Sequence, residues 1–224
     1  MLTVCAVLRS GGDYTVHYAK NLIASVRRHK PKEEWRFALL CDSPIFSQGV
    51  IESCVPLENQ WPGWWSKIEL FSPAMSATDR LYVDLDTLVI GGLQPLIDAA
   101  RKCQRPVMLR DFYRDHGYGS GVMFLPAGWG SFIYNRFIQE PEAIMERYKR
   151  GGDQAFLEQM LPFKAACVWQ DIVGTDAIVS FKPFPGAELA EAPKNARIVC
   201  FHGKPRPAEL PKEHWASKVW RNAA

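Results

Sequence analysis

The segment that most constrains this chain is residues 81–90, an apolar run that carries two carboxylates one residue apart, Asp84 and Asp86. The flanking Leu, Tyr, Val and Ile residues predict a buried β-strand. Because aspartate is rare inside strands and costly to bury without a partner, we expect the pair where the strand emerges from the core. Residues i and i+2 of an extended backbone face the same side, so the carboxylates can converge on one point. Such oxygen ligands suit Mg²⁺ or Mn²⁺; acids that only cap the following loop are the alternative.

Strand-like and helix-like segments alternate along the chain. Strands are expected at residues 2–8, 35–41, 50–55, 81–90, 106–109, 121–125 and 197–201, and helices near 13–30, 66–71, 94–100, 131–149 and 154–160. Asp13 is expected to cap the first helix. This alternation predicts one α/β domain over residues 1–224, with a Rossmann-like, mixed, mostly parallel sheet flanked by helices. Ligands of such sheets bind at the carboxyl ends of the strands.

Charge and composition argue against several classes of function. The net charge is +3 and the basic residues are spread out, so nucleic acid is not expected as a partner. No apolar run approaches the roughly 20 residues of a transmembrane helix. The six cysteines form no CxxC pair, and Cys5, Cys41 and Cys200 lie in apolar, strand-like runs. Reduced thiols are therefore expected, in a cytoplasmic protein that is either free or peripheral to a membrane.

Two segments before the acidic run could add contacts to a ligand. The glycine-rich loop 9–14 lies between a strand and a helix, where backbone amides can approach a nucleotide. It lacks the GxGxxG and P-loop patterns, so an ordinary turn explains it about equally well. Lys67 ends the tryptophan-rich segment 61–67, from which its ammonium could reach a diphosphate. A solvated surface lysine is the alternative.

Two segments after the acidic run could also contact a ligand, and each has a structural explanation as an alternative. Residues 151–154, Gly-Gly-Asp-Gln, begin a predicted helix. Asp153 is a natural N-cap, which alone would explain it, and Gln154 is then free to reach a ligand. Residues 199–205 form a strand that ends in an imidazole, a glycine and a cation. His202 could supply a third metal ligand there, although a histidine at a strand end is more often structural.

In combination, these segments resemble glycosyltransferase family 8, the glycogenin-like and lipopolysaccharide galactosyltransferase-like enzymes with the GT-A fold. The matching pieces follow the family's order: Asp13-Tyr14, Lys67, residues 81–89, Asp111, Gly119-Ser120-Gly121-Val122, Gly151-Gly152-Asp153-Gln154 and His202-Gly203-Lys204-Pro205. The acidic, Ser-Gly-Val and Gly-Asp-Gln segments are specific together, whereas any one alone is not. The resemblance implies a metal-dependent enzyme that moves a sugar from a UDP-sugar donor to an unknown carbohydrate, lipid or protein acceptor, with retention of anomeric configuration.

The resemblance also implies a role for each matching residue. Asp84, Asp86 and His202 would bind Mn²⁺ or Mg²⁺ at the diphosphate. The nucleotide sugar would be held by Asp13, Tyr14, Lys67, Asp84, Leu85, Asp111, Ser120, Gly121, Gly203 and Lys204. Asp153 and Gln154 would be catalytic, with Gln154 on the reacting face of the sugar. A metal and two ammonium groups would stabilise the charge that builds on the leaving diphosphate.

The end of the chain departs from the family pattern, which separates the histidine, the glycine and the lysine by spacers. Here the three residues are consecutive, and Arg206 follows Pro205. The phosphate contact can therefore fall to Lys204 or to Arg206. Gly119 also replaces the asparagine that usually precedes the Ser-Gly-Val segment.

Two other functions fit parts of the sequence. Asp84 and Asp86 also match the nucleophile and acid-base of haloacid dehalogenase-like phosphatases, although those enzymes carry the motif on their first strand. A non-catalytic sugar-binding module could use Trp61, Trp64 and Trp65 as a stacking platform, although tryptophan is at least as often core. A binding module has little need of paired aspartates, so the transferase is the favoured interpretation.

Overall fold

The computed structural model describes residues 1–42, 54–114, 116–162 and 164–222. Its strands are β1 (Leu2–Leu8), β2 (Trp35–Cys41), β3 (Cys54–Pro56), β4 (Asp79–Val83), β5 (Thr87–Val89), β6 (Val107–Arg110), β7 (Tyr118–Leu125), β8 (Cys167–Val168), β9 (Ile178–Ser180) and β10 (Ile198–Cys200). Its α-helices are α1 (Val16–Arg28), α2 (Gln94–Cys103), α3 (Ser131–Phe137), α4 (Pro141–Arg147), α5 (Gly152–Met160), α6 (Trp169–Ile172) and α7 (Trp215–Arg221). Short 3₁₀ helices cover Gly63–Phe71, Pro73–Met75 and Pro207–Glu209. None of the helices in this part of the chain is long and apolar enough to cross a membrane.

Within the described residues, the strands form two sheets. The larger has seven strands in the order β3-β2-β1-β4-β7-β6-β8, and the smaller has three in the order β5-β10-β9. In the larger sheet β1 pairs in parallel with β2 and β4, and β2 pairs in parallel with β3. The exception is β7, which is antiparallel to both β4 and β6. The mixed, mostly parallel sheet that the sequence predicts is confirmed.

Both faces of the larger sheet are covered by helices. Successive side chains of a strand point to opposite faces, so neighbouring residues of β1 pack against different helices. Val4 and Ala6 of β1 pack with residues of α1, α2 and α7 on one face. Cys5 packs with the 3₁₀ helix Gly63–Phe71 and with α3, α4 and α5 on the other. This double burial explains why the strands read as nearly continuous apolar runs.

The acidic segment, predicted as one strand over residues 81–90, is divided between the two sheets. β4 ends at Val83, and the chain then turns, with the amide of Thr87 donating to the carbonyl of Asp84 at 3.2 Å. The amide of Asp84 still donates to the carbonyl of Gly121 at 2.8 Å, so this residue is held at the end of the β4–β7 ladder. The prediction of an extended backbone through both aspartates is wrong, because the chain turns between Asp84 and Thr87, where it passes from the larger sheet to the smaller one.

Other element boundaries also differ from the predictions. The helix predicted over residues 131–149 is two helices, because Pro141 lacks an amide hydrogen and begins a new one. α1 begins at Val16, and its N-cap is Thr15 rather than Asp13, so the predicted cap is wrong. Of the strand predicted over residues 50–55, residues 50–53 lie outside the described residues.

Cys41 at the end of β2 forms a disulfide with Cys54 at the start of β3. The parallel pairing of these strands brings the two Cα atoms to 6.6 Å, a separation that a disulfide can span. The prediction of reduced thiols is therefore wrong for this pair. The other cysteines are free thiols: Cys5, Cys103, Cys167 and Cys200. A cytoplasmic location stays a prediction, without the support that reduced thiols would have given it.

Candidate nucleotide-sugar site

A cleft of about 650 Å³ opens at the carboxyl ends of β1 and β4. Its walls come from the loop after β1, the 3₁₀ helix Gly63–Phe71, the turn between β4 and β5, the start of α5 and the segment after β10. This volume is typical of small-molecule sites, which span roughly 300–1,000 Å³. The predicted site residues that line the cleft are Asp13, Tyr14, Lys67, Asp84, Leu85, Asp86, Ser120, Asp153, Gln154, His202 and Gly203.

A smaller cavity of about 250 Å³ adjoins the cleft and is lined by the predicted site residues Asp111 and Gly121. The two cavities share Asp84, Asp86, Ser120, Gln154, Phe201 and His202, so they are parts of one site. Lys204 lines neither cavity. Its side chain is 74% exposed and pairs with Glu209 at 3.2 Å. Of the two candidate phosphate-binding cations after β10, the structure brings Arg206 to the cleft and leaves Lys204 outside it.

Lys67 lies at the centre of a buried polar network. Its Nζ lies 3.1 Å from Asp84 Oδ1 and 3.2 Å from Asp153 Oδ2, and it donates to Ser120 Oγ at 3.1 Å. Ser120 in turn donates to Asp153 Oδ2 at 2.8 Å. Burial disfavours the ammonium, but the carboxylates of Asp153 and Asp84 outweigh it and raise the pKa of Lys67. Lys67 is therefore not a solvated surface lysine: it ties the acidic turn to the start of α5, and a diphosphate contact of this residue stays a prediction.

The Asp84 carboxylate is held by two side chains and lies close to the backbone of Gly121. In addition to Lys67, the hydroxyl of Tyr82 donates a hydrogen bond to Oδ1. A Cβ atom on Gly121 would lie 3.2 Å from Oδ2, so a glycine at this point leaves room for the carboxylate. Burial raises the pKa of Asp84, and the ammonium of Lys67 opposes this shift.

Asp86 makes its contacts with a different set of residues from those around Lys67. The hydroxyl of Tyr14 donates to its Oδ2 at 2.6 Å, and Arg206 Nη1 lies 3.1 Å from the same oxygen. The Arg206 guanidinium also contacts the Tyr14 hydroxyl, lies 4.3 Å from the centre of that ring, and pairs with Asp13 at 2.7 Å. Burial and the charge of Asp84 raise the pKa of Asp86 well above its usual range, and the ammonium groups of Lys67 and Lys182 oppose this shift. The sequence indicated Arg206 as a candidate phosphate contact, but not its contacts with Tyr14, Asp86 and Asp13.

His202 follows β10 and packs against two aromatic rings. Its ring centre lies 4.9 Å from that of Phe112 and 5.7 Å from that of Tyr113. Burial and the ammonium of Lys182 lower the pKa of His202 to about 4, so its imidazole is neutral at neutral pH. Among the described residues, no group hydrogen-bonds to its buried Nε2. A neutral imidazole nitrogen without a partner is the form that binds a metal.

Asp153 is not a helix cap. α5 begins at Gly152, and its N-cap, Gly151, makes no side-chain capping bond. The Asp153 carboxylate instead contacts Lys67 and Ser120, so the capping interpretation is wrong.

Gln154 is oriented by Asp111, because its Nε2 donates to Asp111 Oδ2 at 2.9 Å. Burial alone would raise the pKa of Asp111, but hydrogen bonds from the Tyr113 amide and from Arg114 lower it. The carboxylate that holds Gln154 is therefore ionised at neutral pH, and the amide side chain lines both cavities in a fixed orientation.

The donor atoms in the cleft fit a divalent cation in their chemistry. Asp84, whose side chain is 33% exposed, and the buried Asp86 both have raised pKa values, and His202 Nε2 has no partner among the described residues. A cation would relieve the repulsion between the carboxylates. In the part of the chain that the structure describes, however, no three His, Cys, Asp or Glu side chains are grouped as a metal site. Arg206 contacts Asp86 in this arrangement, so metal binding requires the guanidinium to release or share that carboxylate.

The three tryptophans of residues 61–67 do not form one platform. Trp61 and Trp65 are buried, with 8% and 5% of their surface exposed, whereas Trp64 is 56% exposed and lines the cleft. The predicted stacking surface of three rings is therefore wrong for two of them.

No protein-family model matches this chain, and no curated protein matches it. Its fold is shared with solved glycosyltransferases. The galactosyltransferase LgtC, in complex with donor and acceptor sugar analogues, is 16% identical over 99% of this chain and 95% of that chain, with a TM-score of 0.68. The glycosyltransferase GlyE of Streptococcus pneumoniae TIGR4 is 14% identical, with a TM-score of 0.68, over 99% of this chain and 59% of that chain. The bifunctional glycosyltransferase WbbM is 12% identical, with a TM-score of 0.65, over 100% of this chain and 49% of that one. These likenesses confirm the predicted GT-A-type fold.

Proposed function

We propose that this protein is a glycosyltransferase that moves a sugar from a UDP-sugar to an acceptor, with retention of anomeric configuration. One observation supports this most directly: in a fold shared with glycosyltransferases, Lys67 joins the acidic turn at Asp84 to the carboxylate of Asp153 inside one cleft. The turn can serve the diphosphate and the start of α5 can serve the sugar, so the two reacting halves of the donor would meet at Lys67.

The donor would lie along the cleft in a defined direction. The nucleoside would occupy the end lined by Asp13 and Tyr14, where an aromatic ring can stack against a base. The diphosphate would occupy the middle, beside Arg206, and the sugar would reach Asp153 and Gln154. Contacts between neighbouring groups connect these regions, from Tyr14 to Asp86 and from Asp84 through Lys67 to Asp153.

The chemistry follows from where charge develops. When the bond between the sugar and the diphosphate breaks, negative charge builds on the leaving group, and the Arg206 guanidinium can stabilise it. Asp84, Asp86 and His202 would hold Mn²⁺ or Mg²⁺, which when bound supplies Lewis-acid stabilisation of the same charge. Asp111 fixes the amide of Gln154, which would line the reacting face of the sugar. The acceptor hydroxyl replaces the diphosphate at the anomeric carbon, and its proton leaves with the departing group or with solvent.

The phosphatase alternative is not favoured, because the fold is that of glycosyltransferases. A non-catalytic sugar-binding module is not favoured either. Trp61 and Trp65 are in the core, so they cannot form the stacking platform of three rings that such a module would use.

Product analysis separates the three functions. The protein with Mn²⁺ is given UDP-glucose or UDP-galactose, and UDP release is followed with water as the acceptor. In parallel, phosphate release is followed from p-nitrophenyl phosphate. Release of UDP alone supports the transferase, phosphate release supports the phosphatase, and saturable binding without either product supports the binding module. Asp98→Asn, on the exposed side of α2, is a matched control for substitutions in the acidic turn.

A further inference from the structure

Trp64 is held rigidly with its ring outside the core. Two nearby tryptophans anchor the backbone on both sides. The ring of Trp61, just before the 3₁₀ helix, meets the Phe137 ring edge-on at 4.7 Å, and the ring of Trp65, within that helix, stacks on Phe137 at 5.5 Å. Between these two anchors, Trp64 points away from the core and is 56% exposed. A large aromatic surface with few rotatable bonds loses little conformational entropy when a ligand covers it.

The position of Trp64 is set by the start of α5. A Cβ atom on Gly152 would lie 2.6 Å from Trp64 Nε1 and 2.9 Å from Cε2, so the indole edge rests directly on the glycine backbone. Gly152 also has a φ of +61°, a conformation that side chains rarely adopt. The glycine therefore allows the indole to pack beside Asp153 and Gln154.

The surroundings of Trp64 are polar. The residues that share this end of the cleft with it include Ser66, Arg150, Asp153 and Gln154. A lipid chain or an apolar protein segment would need a contiguous apolar surface, which one indole among these groups does not offer. A saccharide ring matches better, because it has a C–H face that can stack on an indole and a rim of hydroxyls that can bind polar groups.

We infer that Trp64 is the stacking platform of an acceptor subsite, and that the acceptor presents a saccharide ring to it. The inference rests on the proposed function, since it places the acceptor next to the donor sugar. Tyr14 lines the proposed nucleoside region of the cleft, whereas Trp64 packs against Gly152 at the start of α5, next to Asp153 and Gln154. An acceptor ring on Trp64 would therefore approach the donor sugar without crossing the nucleotide.

The test compares transfer to a glycoside with transfer to water. Wild-type protein with Mn²⁺ and UDP-glucose or UDP-galactose is assayed for UDP release in water alone, then with p-nitrophenyl β-glucoside or β-galactoside. Trp64→Ala should raise the KM for the glycoside by about three- to tenfold, the range expected for a lost aromatic contact. Trp64→Phe, which keeps a smaller ring, should show a smaller increase. The matched control is Phe184→Ala, since Phe184 is 62% exposed and lines neither cavity.

Each remaining outcome overturns the inference. An unchanged KM in Trp64→Ala would mean that the ring does not contact the acceptor. An equal loss of transfer to glycoside and to water would place Trp64 in the donor site instead. A wild-type protein that releases UDP in water, yet uses no glycoside faster than water, would show that the acceptor is not a saccharide. Failure of the proposed function itself is distinguishable, because no UDP would then be released in any condition.

Discussion

Lys67 Nζ and Asp153 Oδ2 lie 3.2 Å apart, and both side chains are only 8% exposed. One residue precedes the acidic strand and the other begins α5, so this ion pair joins the two segments that the proposed mechanism needs together. Because the half-buried Asp84 contacts the same ammonium at 3.1 Å, one buried cation pairs with two carboxylates. The network therefore links parts of the fold as well as parts of the proposed site, and its effects on stability and on activity can be measured separately.

Removing the cation should destabilise the fold. Lys67→Met leaves Asp84 and the buried Asp153 without their shared partner, and the loss of one member of a buried pair such as Lys67–Asp153 typically costs about 3 kcal/mol. We expect a decrease of that size in the free energy of unfolding, measured with urea. Lys149→Met is the control, because Lys149 is 63% exposed in its pair with Glu146 and should have little effect.

The deficit of Lys67→Met should depend on pH. Burial already raises the pKa of Asp84, and Lys67 opposes the shift, so the pKa rises further in the variant. A carboxyl whose folded-state pKa exceeds its unfolded value of about 3.9 contributes its stability at low pH and loses it as the pH rises. The difference in free energy of unfolding between Lys67→Met and the wild type should therefore be smaller near pH 5 than near pH 8. An equal or larger difference in free energy of unfolding at the lower pH would show that the ionised Asp84 carboxylate is not the cause of the destabilisation.

Arg206, rather than Lys204, should be the main phosphate contact after β10. A charge-assisted contact is worth about 1.5–3 kcal/mol, so Arg206→Ala should weaken UDP binding roughly tenfold or more in calorimetry. Lys204→Ala should bind UDP almost as the wild type does, since its ammonium is 74% exposed and lines neither cavity. The reverse order of effects would require the segment after β10 to reorganise when the nucleotide binds.

Turnover should depend on a divalent metal. Asp86→Asn removes a charged oxygen from the proposed ligand set and should abolish Mn²⁺-dependent UDP release, while far-ultraviolet circular dichroism shows an intact fold. EDTA should inhibit the wild type, and added Mn²⁺ or Mg²⁺ should restore it. Full activity of the wild type in EDTA would refute the metal proposal, and Asp98→Asn should remain active throughout.

Gln154 and Asp153 should act on the sugar rather than on the nucleotide. Gln154→Ala should lower sugar transfer by about a hundredfold, as loss of one transition-state contact often does, with little change in UDP affinity. Gln159→Ala on the exposed face of the same helix is its control. Asp153→Ser should also lose activity, although serine caps helices well, because Asp153 is not a cap. Near wild-type transfer rates in both Gln154→Ala and Asp153→Ser would show that these two residues have only a structural role.

The disulfide predicts a thiol count. Unfolded without reductant, the chain should react with Ellman's reagent at Cys5, Cys103, Cys167 and Cys200 only, and reduction should expose the two further thiols of Cys41 and Cys54. Reduction should also lower the free energy of unfolding by about 2–3 kcal/mol, the usual contribution of a short closed loop. Six reactive thiols before reduction would show that the pair is not bonded in the isolated protein.

The sequence could predict what local patterns determine. The bounds of β1 and β2 were correct, because apolar runs ending at glycine-rich or charged segments are visible in the chain. The grouping of Asp84, Asp86 and Gln154 in one site was also expected, but from the resemblance to a glycosyltransferase family rather than from local patterns.

What the sequence could not predict depends on long-range pairing. The break at Asp84 exists because β5 leaves the larger sheet to pair with β10, with Thr87 opposite Cys200. No local pattern in the acidic run indicates that β10 is the pairing partner of β5. The role of Arg206 likewise depends on two carboxylates far away in the chain, Asp13 and Asp86. The disulfide required knowing that β3 lies beside β2, and nothing in the spacing of the cysteines indicates this.

The passage of the chain from β4 in the larger sheet to β5 in the smaller one also determines the order in which the two sheets can form during synthesis. The larger sheet can assemble its β1–β4 centre while the ribosome is still translating the rest, but β5 has no partner strand until residues 198–200 emerge. His202 and Arg206 follow that strand directly, so the wall of the cleft they form appears after most of the core has been made. A nascent chain should therefore acquire its sheet before it can bind a nucleotide, and ligand binding would report completion of the smaller sheet rather than of the fold's centre.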